Sequence, residues 1–324
     1  MLTLEQIQKK ISSSLESLPI YREPSGLYEP IAYALRQGGK RIRPVLTLVS
    51  AQMFGGDPDK ALPAATAIEI FHNFTLLHDD IIDQAPLRRG YETVYKKWNV
   101  NTAILSGDTM FAVAYGKLAE SEPQLLPGLM DIFSKTAIQV CEGQQYDTDY
   151  EIAGHVPIED YIEMITLKTA VLMAASLKIG ALIGNAGEKH ADAVYQFGLN
   201  VGIAFQLQDD LLDAFGDVAV FGKKTGGDIT ANKKTYLYLK ALENSNEQDA
   251  AELKRWFSTN GNNPEQKIAA VLRLFEKAGV KEETENLIQY YLQQALTHLD
   301  SIEIEGSAKE QLLKVLADLV HRKY

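Results

Sequence analysis

The chain has one cysteine, Cys141, in 324 residues. A disulfide framework is excluded, and a reducing, cytoplasmic setting is expected. Cys141 lies in an apolar helical stretch, where a small buried residue is expected rather than a nucleophile. Basic charge is also scarce. Thirty-two Lys and Arg stand against 43 Asp and Glu, giving a net charge of −11 and a pI near 5.1. That balance argues against a nucleic-acid binder, which needs a basic face. Long apolar runs are missing as well. The longest, Ala170 to Gly184, is interrupted by Lys178 and is too short to cross a bilayer, so no membrane span is expected. The N-terminal stretch MLTLEQIQKKISSSLESL is amphipathic and has no apolar stretch of the secretory type. Alternating strand patterns are nearly absent, and there is no repeat of solenoid period.

What remains is helical periodicity throughout. Helices are expected near 3–17, 27–37, 41–54, 59–83, 92–97, 101–119, 123–147, 158–173, 174–184, 188–214, 233–242, 247–258, 263–278, 280–299 and 306–322, separated by Gly and Pro breakers. Mean hydropathy is −0.14 and 46% of residues are hydrophobic, as in a soluble chain with a large core. The reading is all-α, with residues 1–324 as one helical domain.

One carboxylate pattern occurs twice. Asp79-Asp80-Ile81-Ile82-Asp83 is matched by Asp209-Asp210-Leu211-Leu212-Asp213, and these hold the only two Asp-Asp dipeptides. On a helix, residues four apart share a face, so Asp79 projects with Asp83 and Asp209 with Asp213. Asp is a poor interior helix residue, and like charges at that spacing cost about 0.2–0.5 kcal/mol per pair. Two such faces suit hard divalent cations. Mg²⁺ held by few carboxylates completes its shell with phosphate oxygens.

Basic groups are placed locally. Gly38-Gly39-Lys40-Arg41-Ile42-Arg43-Pro44 opens a helix, where backbone amides and Lys or Arg can hold phosphate; a solvated helix start has the same composition. Arg88-Arg89-Gly90 follows Asp83 closely and can serve the aspartates, an anion, or both. His72 falls about 20° from the Asp79 face. Lys168-Thr169 and Gln206 are polar positions in apolar helices, and Lys168 can also snorkel to the surface. Gly216 to Thr235 is a Gly/Lys loop carrying Lys223, Lys224, Lys233 and Lys234; such loops close over substrates or simply connect elements.

In order and spacing, GGKRIRP, HDDIIDQAPLRRG, LKTA, GIAFQLQDDLLDAFGD and GKKTGGD-x4-KKTY resemble the trans-prenyltransferases, the polyprenyl diphosphate synthase family. The resemblance implies an all-α bundle around a deep central cavity, usually a homodimer, with Mg²⁺, three per active site when diphosphate is bound. It implies head-to-tail condensation of isopentenyl diphosphate with an allylic diphosphate. By position, Asp79, Asp83, Asp209 and Asp213 would bind metal, supported by Asp80 and Asp210. Arg88, Lys168, Lys223 and Lys233 would hold the allylic diphosphate. Lys40, Arg43, His72 and Arg89 would hold isopentenyl diphosphate. Thr169 and Gln206 would line the reacting carbons, and Gln144 and Asp147 would support the metal site. Phe74 and Thr75, five and four residues before Asp79, would set product length at C20 or C15, with Met110 as an alternative floor. The rivals are a class I terpene cyclase and a non-catalytic subunit of a two-component synthase. The intact GGKRIRP site and the second aspartate motif count against the first. The retained aspartates and basic residues count against the second.

Overall fold

The computed structural model describes residues 1–216, 225–258, 263–304 and 306–320. It is all-α, with a single two-stranded hairpin among the described residues. In chain order the helices are α1 (Leu4–Glu16), α2 (Ser25–Arg36), α3 (Ile42–Met53), α4 (Pro58–Ile82), α5 (Val94–Lys97), α6 (Val100–Leu118), α7 (Leu126–Ile152), α8 (Ile158–Ile165) and α9 (Val171–Ile183). They continue with α10 (Glu188–Phe215), α11 (Gly227–Thr230), α12 (Tyr236–Asn244), α13 (Glu247–Ser258), α14 (Pro264–Lys277), α15 (Val280–Asp300) and α16 (Gly306–Val320). The hairpin strands are β1 (Leu87–Arg88) and β2 (Tyr91–Glu92). The chain folds as two compact units. One comprises residues 1–134, 175–192 and 304–315, the other 135–174, 193–303 and 316–324.

In the first unit α4 is the organising element, packed against α1, α2, α3, α5 and α6. Asp57 caps its start by accepting from the Asp59 amide, with Pro58 in the first turn, the position where a missing N–H costs nothing. Its apolar side chains Ile68, Ile70 and Phe71 are buried. α1 opens with a reciprocal capping box between Thr3 and Gln6 and buries Ile7, Ile11 and Leu15. Residues 175–183 of α9 pack on α3: Ser50 donates to the Leu177 carbonyl at 2.7 Å. At Gly180 a Cβ would collide with the Thr47 carbonyl oxygen.

The second unit is built on one apolar cluster. It joins Tyr161 and Met164 of α8, Leu207 and Leu211 of α10, Leu237 of α12, Leu253 of α13, Leu274 of α14 and Ile288 of α15.

Two expectations change. Residues 158–183 form one helical run, long and apolar enough to cross a membrane, with 72% of its apolar window buried inside the protein. The sequence suggested a break after 173. Instead a π-turn, Thr166–Ala170, joins α8 to α9 without interrupting the run. Cys141 is exposed, not buried. It lies one turn beyond Ile138 on α7, which is 59% exposed, so apolar neighbours in sequence did not mean an inward face. Partial desolvation and Glu142 push its thiol up, away from a reactive thiolate.

The close approach at Gly180 makes a stability prediction. Gly180→Ala adds one methyl against backbone, and overpacking of this kind costs about 1–3 kcal/mol. The urea midpoint should fall; an unchanged midpoint would mean that α3 and α9 can separate freely.

Candidate active site

In the first unit the basic residues singled out in the sequence are arranged by backbone turns. Gly38, Gly39 and Arg41 have φ of 76°, 127° and 47°, a left-handed stretch that brings the chain into α3. Gly39 also leaves room for an arginine. A Cβ there would lie 2.7 Å from the Arg89 Cζ, and the Arg89 guanidinium donates to the Gly38 carbonyl. Arg41 points elsewhere, donating to the Ser12 hydroxyl at 2.5 Å. Lys40 is exposed.

The hairpin separates the neighbouring arginines. Its strands pair Leu87 with Glu92 and Arg88 with Tyr91, and the turn residues Arg89 and Gly90 both have positive φ, 54° and 83°, the geometry of a tight two-residue hairpin loop. Arg88 turns to the aspartates. Its Nε donates to Asp80 at 2.8 Å and its Nη2 lies 2.7 Å from Asp80 and 3.6 Å from Asp79. Arg89 turns to the glycine loop. Asp80 is 4% exposed. Burial raises its carboxyl above the usual range, against the lowering pull of Arg88.

His72 accepts from Arg43 Nη1 at 3.1 Å, which places its own proton on Nδ1. Burial, then Arg43, Arg89 and Arg88, hold its pKa well below 6.5, so the ring is neutral. Beneath it lies a residue the sequence reading missed. Glu69 is 3% exposed and accepts from Asn73 at 3.0 Å. Burial raises its carboxyl, while Asn73, Arg43, Arg89 and Arg41 lower it. A single Glu in an apolar helix gave no sequence signal beyond its burial.

Phe74 is buried. Its ring centroid lies 5.5 Å from Phe71, 5.3 Å from Phe111 and 4.8 Å from His78. Phe111, partly exposed on α6, continues the aromatic group to Tyr115 and was not predicted. Thr75 donates back to the His72 carbonyl at 2.8 Å. Met110 is wholly buried.

In the second unit the π-turn carries Lys168 and Thr169. Two helices present glycine to it, and both approaches leave no room for a side chain. A Cβ at Gly143 of α7 would collide with the Lys168 backbone nitrogen, and one at Gly202 of α10 would lie 2.5 Å from the Ala170 Cα. Such turns recur at functional sites. Lys168 Nζ donates to Asp147 at 2.5 Å. Thr169 donates to Gln206 Oε1 at 3.0 Å, and Gln206 Nε2 donates to Asp210 Oδ1 at 3.0 Å. Tyr161 donates to the other oxygen of Asp210. These residues line one cavity with Asp228 and Lys233. Burial and Asp228 push Asp210 well above the usual carboxylate range, against the hydrogen bonds from Tyr161 and Gln206. Burial and Asp210 raise Tyr161. Gln144 has a side-chain nitrogen buried without a hydrogen bond.

Asp213 accepts the amides of Gly227 and Asp228 at 3.2 and 2.9 Å and so anchors the start of α11. Lys233, whose amide donates to the Asp228 carbonyl at 2.9 Å, follows that turn. Lys234 does different work. Its Nζ donates to the carbonyls of Tyr150, Glu151 and Ala153, closing the C-terminus of α7. Lys223 and Lys224 lie outside the described residues.

Among the described residues no cluster of three or more His, Cys, Asp or Glu side chains forms a metal cage. Each aspartate motif offers a pair of hard oxygen donors. That set fits Mg²⁺, which is bound through one or two carboxylates and keeps open positions for water and phosphate, rather than a cation that needs a closed protein shell.

The description "Polyprenyl synthetase" belongs to a family model that matches residues 24–275. The chain belongs to the polyprenyl synthetase family. It is 36% identical over 311 residues to a geranylgeranyl diphosphate synthase of Methanosarcina mazei, covering 95% of this chain and 93% of that one. It is 34% identical over 332 residues to a geranylfarnesyl diphosphate synthase of Natronomonas pharaonis, with coverage of 95% and 93%. A crystal structure of a geranylgeranyl pyrophosphate synthase superposes with a TM-score of 0.94 at 46% identity, over all of both chains. This is a prenyltransferase family, and the all-α architecture is the same.

The neutral, half-buried His72 sets a pH dependence. Its folded pKa is depressed, so the unfolded chain binds the extra proton and stability falls as pH drops below 6.5, by up to about 1.4 kcal/mol per pH unit. Asp80, Asp210 and Glu69, with raised folded pKa, act in the opposite sense. His72→Gln should remove the His component alone. Urea titrations at pH 7.5 and 5.5 should show a smaller acid loss in the variant; equal losses would contradict a neutral His72.

Proposed function

We propose that the chain condenses isopentenyl diphosphate head-to-tail with an allylic diphosphate, in a Mg²⁺-dependent reaction, and that residues 1–324 act as one functional domain. The observation that carries this reading is the single cavity lined by Lys168, Thr169, Gln206, Asp210 and Lys233. It joins cations for a diphosphate to oriented oxygens for an electron-poor carbon. Asp79, Asp83, Asp209 and Asp213 would hold the metal ions. When bound, these supply Lewis-acid neutralisation of the leaving pyrophosphate.

The chain's own groups do the rest. Arg88, Lys168 and Lys233, with Lys223, hold the allylic diphosphate, and their fixed charge favours the state in which the C–O bond has broken. Thr169 and Gln206 face the allylic carbon. Lys40, Arg43, His72 and Arg89 hold isopentenyl diphosphate, whose double bond attacks that carbon. A neutral His72 can donate from Nδ1, and adds no charge of its own. The proton lost after attack can pass to the departing pyrophosphate. Exposed apolar side chains support a homodimer: Ile104 and Leu105 on α6, and Ile138 on α7, are 40%, 58% and 59% exposed.

The kinetic test separates the two sets. Asp79→Ala or Asp209→Ala should abolish nearly all turnover while leaving the helical circular dichroism intact. Lys40→Ala and Arg43→Ala should raise KM mainly for isopentenyl diphosphate, and Lys233→Ala mainly for the allylic substrate. Each loss should be about ten- to hundred-fold, the value of a charged hydrogen bond. If both sets moved the same KM, the assignment would be wrong.

For product length we propose C20, with C15 second. The tail would extend along α4 away from Asp79, and one helical turn of 5.4 Å is close to one isoprene unit. Phe74, braced by Phe71 and Phe111, would form the floor, with Thr75 leaving room beside it. Phe74→Ala should lengthen the product and Thr75→Phe should shorten it, read by chromatography of the dephosphorylated alcohols. The first variant also loses core packing worth about 3–5 kcal/mol. It should therefore be assayed well below its melting temperature. An unchanged product from Phe74→Ala would place the floor elsewhere, with Met110 the next residue to test.

A further inference from the structure

Tyr161 was not singled out by any motif. It is 2% exposed, sits on α8, and spends its hydroxyl on Asp210 Oδ2. Asp210 Oδ1 receives Gln206 Nε2, and Gln206 Oε1 receives the Thr169 hydroxyl. The order of these bonds is not arbitrary. A side-chain amide has one donating and one accepting end of nearly equal shape. In this structure both Asp210 oxygens accept, Oδ2 from Tyr161 and Oδ1 from Gln206, so the NH₂ end of Gln206 is turned to Asp210. The carbonyl end then faces Thr169. Thr169 must give its single proton to that carbonyl, which leaves its lone pairs as the only thing it can offer to a third group.

With the amide reversed, the NH₂ would point at Thr169. The hydroxyl would accept from it and carry its proton free. A free O–H presents positive charge, the wrong sign beside a carbon that becomes positive as a C–O bond breaks. The difference between the two arrangements is therefore a difference in the sign of the dipole at one atom.

We infer that Tyr161 is a positioning residue that, by holding Asp210, fixes the direction of the hydrogen-bond chain and makes Thr169 present lone pairs rather than a proton. Asp210 has a bond available to rotate about, and its second oxygen would otherwise be free to swing. Tyr161 binds that oxygen from a ring packed in the second unit's core, so the carboxylate has one orientation. Buried, fully connected chains of this kind gain their effect from being satisfied at every link. The consequence for catalysis rests on the prenyl-transfer reading above; the direction of the chain does not.

The test is Tyr161→Phe, which removes one oxygen and keeps the ring. With isopentenyl diphosphate and geranyl diphosphate, kcat should fall about ten- to hundred-fold, the range for losing a hydrogen bond to a charged acceptor, while both KM values stay within about two-fold. Because Tyr161 acts through Thr169, the double variant Tyr161→Phe/Thr169→Val should be no slower than Thr169→Val. Additive losses, or a Tyr161→Phe enzyme of full kcat, would overturn the inference. A second readout does not need turnover. The Gln206 side-chain amide protons, assigned by their disappearance in Gln206→Met, should exchange slowly in the wild type and faster in Tyr161→Phe. Equal exchange would overturn the positioning role even if activity fell. Slowed exchange in a wild-type chain that makes no prenyl product would support the positioning role and reject the prenyl-transfer reading. Should Tyr161→Phe not fold, as judged by its melting curve, Gln206→Met breaks the chain one link later. Its loss must then also be non-additive with Thr169→Val, and additivity would overturn the inference.

Discussion

The middle aspartate of each motif is buried, and the site depends on how that burial is offset. A carboxylate taken from water without partners costs several kcal/mol. Asp80 is covered by Arg88 at two nitrogens; Asp210 is covered by Tyr161 and Gln206. The two solutions are chemically different, one charged and one neutral. Both turn the middle residue into the protein and leave the first and third aspartates, half-buried or exposed, on the outer face of the helix. The repeated five-residue pattern is thus one buried, partnered acid flanked by two more accessible ones, and the cost of like charges on a helix is met within each unit separately.

Glycine then decides where backbone can reach. Gly39 admits the Arg89 guanidinium, while Gly143 and Gly202 admit the π-turn that carries Lys168 and Thr169. In each case a single methyl would displace a functional residue without touching its chemistry. The hairpin turn at Arg89-Gly90 adds a further separation. Two adjacent arginines, which sequence alone makes a single basic cluster, are sent to different acceptors because a two-residue turn reverses the chain between them.

Much of this was legible beforehand. The helix order, the all-α class and the shared faces of Asp79/Asp83 and Asp209/Asp213 follow from apolar periodicity and from 3.6 residues per turn. What the sequence did not carry is instructive. The π-turn has no composition of its own; the glycines that make room for it lie elsewhere in the chain. Cys141 faced out because apolar neighbours along a helix occupy every direction, and only one of them is inward. Lys233 and Lys234 are identical in sequence terms. Both line the cavity, and Lys234 also closes α7 through carbonyls far back in the chain, which no local pattern announces. Phe111 and Tyr161 were missed because an aromatic in an apolar helix carries no distinguishing mark until its neighbours are known.

The two basic sets differ in kind, and the difference suits the proposed chemistry. The first unit relies on arginines, with His72 kept neutral among them. Guanidinium groups stay charged in any setting and bind phosphate through a rigid fork. That suits a diphosphate which remains attached through the reaction and must be held in one orientation. The second unit relies on lysines, compact point charges on flexible stems, and Lys168 is already paired with Asp147. A cation shared with a neighbouring carboxylate can shift toward charge that grows on a leaving group and return when that group departs. The division is one of weight: Arg88, placed with the leaving diphosphate, is itself paired with Asp80, and Lys40 is the one lysine placed with the diphosphate that would stay.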